Sequence, residues 1–176
     1  MAGHPPSAVE LRTMVEPARV HRRVYVDPAV FELEMQRLWG RAWIYVGHVS
    51  QVPAAGDFIA TTVAREPVIM VRDRDDASVR VLLNRCGHRG ARLTQQPFGN
   101  TRVFRCPYHA WCYRHDGSLA ATPHPAGYEN TGFDPLDPSH RIDLVPRVAG
   151  YRGFVFASLA ADGPDLAEFL GETAAT

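Results

Sequence analysis

The chain has 176 residues, 19 Lys and Arg against 19 Asp and Glu, 45% hydrophobic residues and three cysteines. Zero net charge removes the basic footprint of a nucleic-acid binder; no apolar run reaches the roughly 18 residues of a membrane span, and the start lacks a basic segment followed by an apolar one, so a cytoplasmic protein with neither nucleic-acid nor membrane partner is expected. The length suits one domain at roughly 100 to 200 residues each, able to bury about 70% of its unfolded surface without disulfides, and 14 Gly with 14 Pro favour a turn-rich, mainly β chain.

Residues 1–26 are polar and interrupted by proline, which predicts an extended arm with a short helix over Ala8 to Val15. Asp27-Pro28 supplies an N-cap and a proline at the first helical position; Phe31, Met35, Leu38 and Trp39 then share a face until Gly40 ends the run. That face is expected to pack. From Ala42 the pattern changes to short β-branched and aromatic segments: Trp43 to Val46, Phe58 to Thr62, Val68 to Val71, Val79 to Leu83, Arg102 to Phe104 and Tyr151 to Ala157. They predict an antiparallel β-sandwich or small barrel. Arg72 to Asp76 and His115-Asp116-Gly117 read as hairpin turns. Ala121 to Arg141, with four prolines, reads as a long irregular connection, and Gly163-Pro164 opens a last helix through Leu170, stopped by Gly171.

Two clusters carry chemistry: Cys86-Gly87-His88 and, after 17 intervening residues, Cys106-Pro107-Tyr108-His109. Each offers one thiol and one imidazole, and each follows a predicted strand, so both are expected at loop tips on one end of the β structure. A single zinc ion accepts two cysteines and two histidines. Zinc fingers, however, take like ligands from one element, and zinc ribbons use paired C-x2-C knuckles. One ligand of each type per loop suits an object with two metals, in which thiolates hold one iron and imidazoles the other.

Asn84 to Leu93 (NRCGHRGARL) and Cys106 to Trp111 (CPYHAW) resemble the cluster-binding loops of the alpha subunits of Rieske-type aromatic ring-hydroxylating oxygenases. Arg41 to His48, Gly56 to Phe58 and Tyr151 to Phe156 resemble the same family. The resemblance implies a Rieske-type antiparallel β-sandwich with two cluster-binding loops, preceded by an N-terminal helix. It implies a 2Fe-2S cluster held by Cys86 and Cys106 on the inner iron and by His88 and His109 on the outer, with a potential of roughly −150 to +300 mV, against about −400 mV for all-cysteine plant-type clusters. Residues 1–41 are then arm and helix, 42–160 the Rieske domain, and 161–176 a short C-terminal helix or the start of a further domain. Respiratory Rieske proteins add a disulfide between the loops; Ala91 and Tyr108 stand at those places, so an oxygenase-type cluster is expected. Cys112 is left over and is expected to pack as a small apolar group. Ala110 stands where the family has glycine. Tyr108 and Trp111 are expected to be core or to shield the cluster, and Arg85, Arg89 and Arg92 to be plain surface or a docking rim for an acidic donor.

In that family the hydroxylating iron sits in a following domain, on two histidines and a carboxylate. Of the eight histidines here only His109 and His115 are close in sequence, and His109 is assigned to the cluster. The chain is therefore expected to be the front part of an oxygenase alpha subunit. It would pass electrons from a flavin-containing reductase or ferredoxin to a mononuclear iron in a catalytic domain or neighbouring subunit, as in a trimer. A free-standing Rieske ferredoxin and a zinc-stabilised structural module are the competing readings.

Overall fold

The computed structural model describes residues 4–175; the first three residues of the arm and Thr176 lie outside it. The arm is more structured than expected. Helix α1 (Ala8–Thr13) starts at a capping box, the Ser7 hydroxyl accepting the Glu10 N–H and the Glu10 carboxylate accepting the Ser7 N–H. A small hairpin follows, β1 (Val15–Glu16) on β2 (Arg19–Val20), which no sequence signal announces.

After α2 (Arg23–Val26) comes α3 (Pro28–Glu34), where the Asp27 carboxylate accepts the Ala29 N–H at 2.9 Å. The helix runs on as a π-helical turn, Met35–Trp39, and stops at Gly40. Its expected packing face is not buried: Phe31, Leu38 and Trp39 are exposed, and Val30 is the buried residue. The wider winding of a π turn carries Leu38 and Trp39 off the stripe that a 3.6-residue period lays down. Phe31 is covered only by the Arg65 guanidinium, 5.0 Å from its ring.

The β region comprises β3 (Ile44–His48), β4 (Asp57–Val63), β5 (Glu66–Arg72), β6 (Val79–Leu83), β7 (Phe98–Asn100), β8 (Phe104–Arg105), β9 (Cys112–Tyr113), β10 (Leu119–Ala121), β11 (Arg147–Tyr151) and β12 (Phe154–Ser158). All pairings are antiparallel: β6-β5-β4-β7, β11-β12-β3 and β10-β9-β8. The last predicted segment but one, Arg102 to Phe104, is displaced to β8, and the single segment foreseen over Tyr151 to Ala157 is a hairpin. Arg152 and Gly153 both take left-handed backbone, with φ of 49° and 86°, the geometry a two-residue turn between twisted strands requires.

The β6-β5-β4-β7 sheet is a middle layer. Along β5 the side chains alternate: Val68 and Met70 enter a core with Val46, Val52, Val63, Val81, Val145, Val155 and Ala157, while Ile69 and Val71 enter a second core on the other face. That second core holds Phe58, Phe104, Trp111, Tyr113, Cys86 and Cys106. Two of the three cysteines are therefore built into a hydrophobic core.

The last segment is tied to the β11-β12-β3 sheet. Arg147 donates to the carbonyls of Ala160, Gly163 and Pro164, lies 4.8 Å over the Trp43 ring, and the Trp43 indole N–H donates to Pro164. Helix α4 (Leu166–Leu170) follows, N-capped by Asp165 and ended at Gly171. Among the described residues no helix is long and apolar enough to cross a membrane.

Candidate metal centre

The two Cys-and-His segments form a matched pair of loops, one after β6 and one after β8. In the first, the Cys86 N–H donates to the Ala91 carbonyl and the Gly90 N–H returns to the Cys86 carbonyl, at 2.8 and 2.9 Å. In the second, the Cys106 N–H donates to Trp111 and the Ala110 N–H to Cys106, at 2.8 and 3.0 Å. The fifth residue of each loop is left-handed: Gly90 at φ 70° and Ala110 at φ 57°. Ala110 thus adopts the conformation that suits the family's glycine, at a cost of roughly 1–2 kcal/mol for an L side chain.

Asn84 braces the first loop from inside. Its buried side chain accepts the N–H groups of Leu93 and Thr94 and donates to the Thr94 carbonyl. Gly87 allows residues 140–141 to lie directly on the loop, because a Cβ there would fall 2.5 Å from the Arg141 oxygen and 2.8 Å from that of His140.

All four predicted ligands come together. Cys86 and Cys106 are each 3% exposed and close enough to interact. The His88 and His109 rings stand 4.8 Å apart, and the Nδ1 atoms of both are buried with no hydrogen-bond partner. A buried polar atom without a partner costs roughly 1–3 kcal/mol, and two on neighbouring rings, each in a loop that also carries a buried thiol, mark a place where something else completes them. Among the described residues no three His, Cys, Asp or Glu side chains are grouped to hold a single ion.

The family model of the Rieske [2Fe-2S] domain matches residues 42–138. The chain belongs to the Rieske [2Fe-2S] family. Biphenyl 2,3-dioxygenase subunit alpha of Rhodococcus jostii is 40% identical over 154 residues, covering 88% of this chain and 32% of the relative. The anthranilate 1,2-dioxygenase large subunit of Acinetobacter baylyi is 41% identical over 155 residues, again 88% and 32%. Among solved structures, naphthalene 1,2-dioxygenase from Rhodococcus sp. bound to indole superposes with a TM-score of 0.81 at 33% identity, covering 88% of this chain and 34% of that one. A quaternary ammonium Rieske monooxygenase in complex with L-carnitine gives 0.76 at 30%, covering 88% and 42%. The Rieske chain thus spans about a third of the length of the curated relatives it matches.

The cofactor of a Rieske domain is the [2Fe-2S] cluster, and the residues present fit it. Burial pushes the Cys86 thiol above its ordinary value, opposed by its hydrogen bond with Tyr113, so a bound metal must displace that proton. The Tyr113 hydroxyl, 3.1 Å from Cys86 Sγ, is itself pushed up by burial and then by that sulfur, and keeps its proton. Burial, then the neighbouring His109, lowers the pKa of His88 and keeps its imidazole neutral, as a ligand must be.

The other residues singled out from the sequence separate in the Rieske structure. Trp111 is core and stacks on His88, whereas Tyr108 is 61% exposed and so is not core. Tyr108 is held out by the tight turn of its loop and covers only His109, with ring centroids 3.8 Å apart. Arg85, Arg89 and Arg92 are exposed, Arg85 lying 3.7 Å from Asp143. Cys112 is half-buried and donates to Ala110. The irregular connection was expected from the sequence, but its part in the site was not: Tyr128, Phe133 and His140 pack on Trp111. Their aromatic character in a proline-rich stretch was the available signal.

Proposed function

We propose that this Rieske domain relays electrons within a ring-hydroxylating oxygenase, from a flavin-containing reductase or ferredoxin to a mononuclear iron that lies outside this sequence. Cys86 and Cys106 would hold the cluster through Sγ, and His88 and His109 through Nδ1. The observation that carries this is the pair of buried, unpartnered Nδ1 atoms beside two buried thiols. When bound, the cluster accepts and returns one electron. The chain's part is to exclude water with Trp111 and Leu93, to donate the Tyr113 hydroxyl to Cys86 Sγ, and to leave each imidazole its Nε2 for a proton or a partner. His109, whose neighbouring ring is the exposed Tyr108, is the ligand on the side from which an electron leaves. A cytoplasmic location and assembly with a catalytic domain or a neighbouring subunit belong to the same reading.

The test is the visible and paramagnetic resonance spectrum of the purified chain, with iron and acid-labile sulfide counted. A red-brown protein with the two irons and two sulfides of a [2Fe-2S] cluster and a rhombic signal on reduction is expected. Cys86→Ala, His88→Ala, Cys106→Ala and His109→Ala should each lose the cluster. Full iron content in any of the four overturns the ligand assignment, and a colourless zinc protein overturns the whole reading. With reductase, oxygen, ferrous iron and aromatic substrates supplied, the reduced chain alone should form no hydroxylated product.

A further inference from the structure

The two imidazoles do not have equivalent surroundings. The Trp111 indole lies flat on the His88 ring, centroids 4.6 Å apart and planes 9° from parallel. The indole is itself fixed on three sides. Its N–H donates to the Tyr128 hydroxyl at 3.2 Å, Phe133 meets it edge-on at 5.6 Å, and His140 stands perpendicular to it at 5.5 Å. These three are locked to one another: Phe133 packs on Tyr128 at 4.4 Å and stacks on His140 at 4.6 Å. His140 Nδ1 donates in turn to the Asp134 carbonyl at 2.8 Å. Residues 124–141 contain no strand; these side-chain contacts, the backbone resting on Gly87 and the Arg141 guanidinium donating to the Asp116 carbonyl hold the segment over the first loop. His109 has no counterpart to this assembly, since the ring beside it is the exposed Tyr108.

A ligating imidazole keeps one soft coordinate, rotation of its plane, and that rotation sets where Nε2–H points. A flat, buried, hydrogen-bonded indole opposes it; an exposed phenol on a tight turn opposes it less. We propose that Trp111 is a positioning residue for His88, fixed by Tyr128 and roofed by Phe133 and His140, and that His109 is the rotationally freer of the two. This rests on the ligand assignment above. It makes the irregular 124–141 connection part of the redox site, because a displacement of Tyr128 or His140 reaches His88 through one indole.

Electron–nuclear double resonance on the reduced, cluster-loaded chain resolves the couplings of the ligand nitrogens. The wild type should show one narrow and one broad set, the narrow belonging to the clamped ring. Trp111→Leu should lose the narrow set and leave the broad one alone, while Trp111→Phe, which keeps a flat ring over His88, should retain it. Tyr128→Phe removes only a hydroxyl, should load cluster normally, and should broaden the narrow set partially. If Trp111→Leu fails to load, Tyr128→Phe decides. Unchanged couplings in that variant, or equal broadening of both sets, overturn the clamp while leaving the ligands in place. A wild type without two nitrogen sets overturns the ligand reading and the clamp with it.

Discussion

The two cores that share β5 as a wall are built from different materials. The one toward β3 and β12 is almost entirely valine, with Met70 and Ala157, and is a dry aliphatic filling. The one toward the loops mixes Phe104, Trp111 and Tyr113 with two cysteines, and beside it lie three buried, unpartnered imidazole nitrogens, on His88, His109 and His115. The aliphatic core needs nothing beyond its own packing. The aromatic core is incomplete as polypeptide and takes a cofactor to finish it.

Adjacent residues on β5 separate the two. Ile69 and Met70 are both fully buried, on opposite faces. Truncation of either to alanine should cost about 2–5 kcal/mol, the range for large-to-small changes in a core. Only Ile69→Ala should also change the cluster's visible spectrum and speed its loss. Denaturant unfolding and absorbance on the same samples check this; a spectrum equally perturbed by Met70→Ala would break the division.

A smaller effect is expected at Asn84, on the loop side. Asn84→Ala strands two buried N–H groups, at about 1–3 kcal/mol, and should loosen the first loop so that a chelator strips iron faster than from wild type. Equal stripping rates would show that the loop is held by its backbone alone.

His115 gives the comparison a pH axis. It is buried against Phe104 with Nε2 unpartnered, and burial lowers its pKa from the ordinary 6.5. Asp73, Asp75 and a hydrogen bond with Thr101 pull it up, and Arg74 pushes it down further. The unfolded chain therefore takes up a proton that the folded chain refuses. Stability supplied by neutral His115 is complete above 6.5 and falls as pH drops below it, toward the lower folded value. Unfolding midpoints from pH 7.5 to 5 should decline on this account, and His115→Gln should flatten that slope. An unaltered slope excludes His115 as its source.

The smallest effect tests the pairing of the loops. Ala110→Gly should gain about 0.5 kcal/mol, the relief of left-handed strain less glycine's extra unfolded-state entropy, while Gly90→Ala should lose about 1 kcal/mol. Thermal melts of the two variants should move in opposite directions.

How much was readable beforehand follows the same division. The two Cys-and-His loops were legible because each keeps its cysteine and histidine within four residues, so local spacing carries the pattern. Val79 to Leu83 was legible as a short β-branched and aliphatic segment, with Val81 and Leu82 buried in a middle layer. Strands β8 and β9 have two residues each, too few for any period to register, and β7 is mostly exposed. The apolar face of α3 misled because a π turn obeys a different period. Contacts of Tyr128, Phe133 and His140 with Trp111 join residues 17 to 29 apart along an irregular path, where neither period nor spacing speaks.

The matched loops have one more consequence under the proposed ligation. Each would grip both ends of one rigid inorganic unit, so residues 86 to 109 would be closed into a ring by bonds stronger than any contact in the fold. A cross-link closing a ring near this size removes about 3 kcal/mol of freedom from the unfolded chain, in the manner of a disulfide. The redox centre of this protein would then also be its staple, in a chain whose three cysteines form no disulfide.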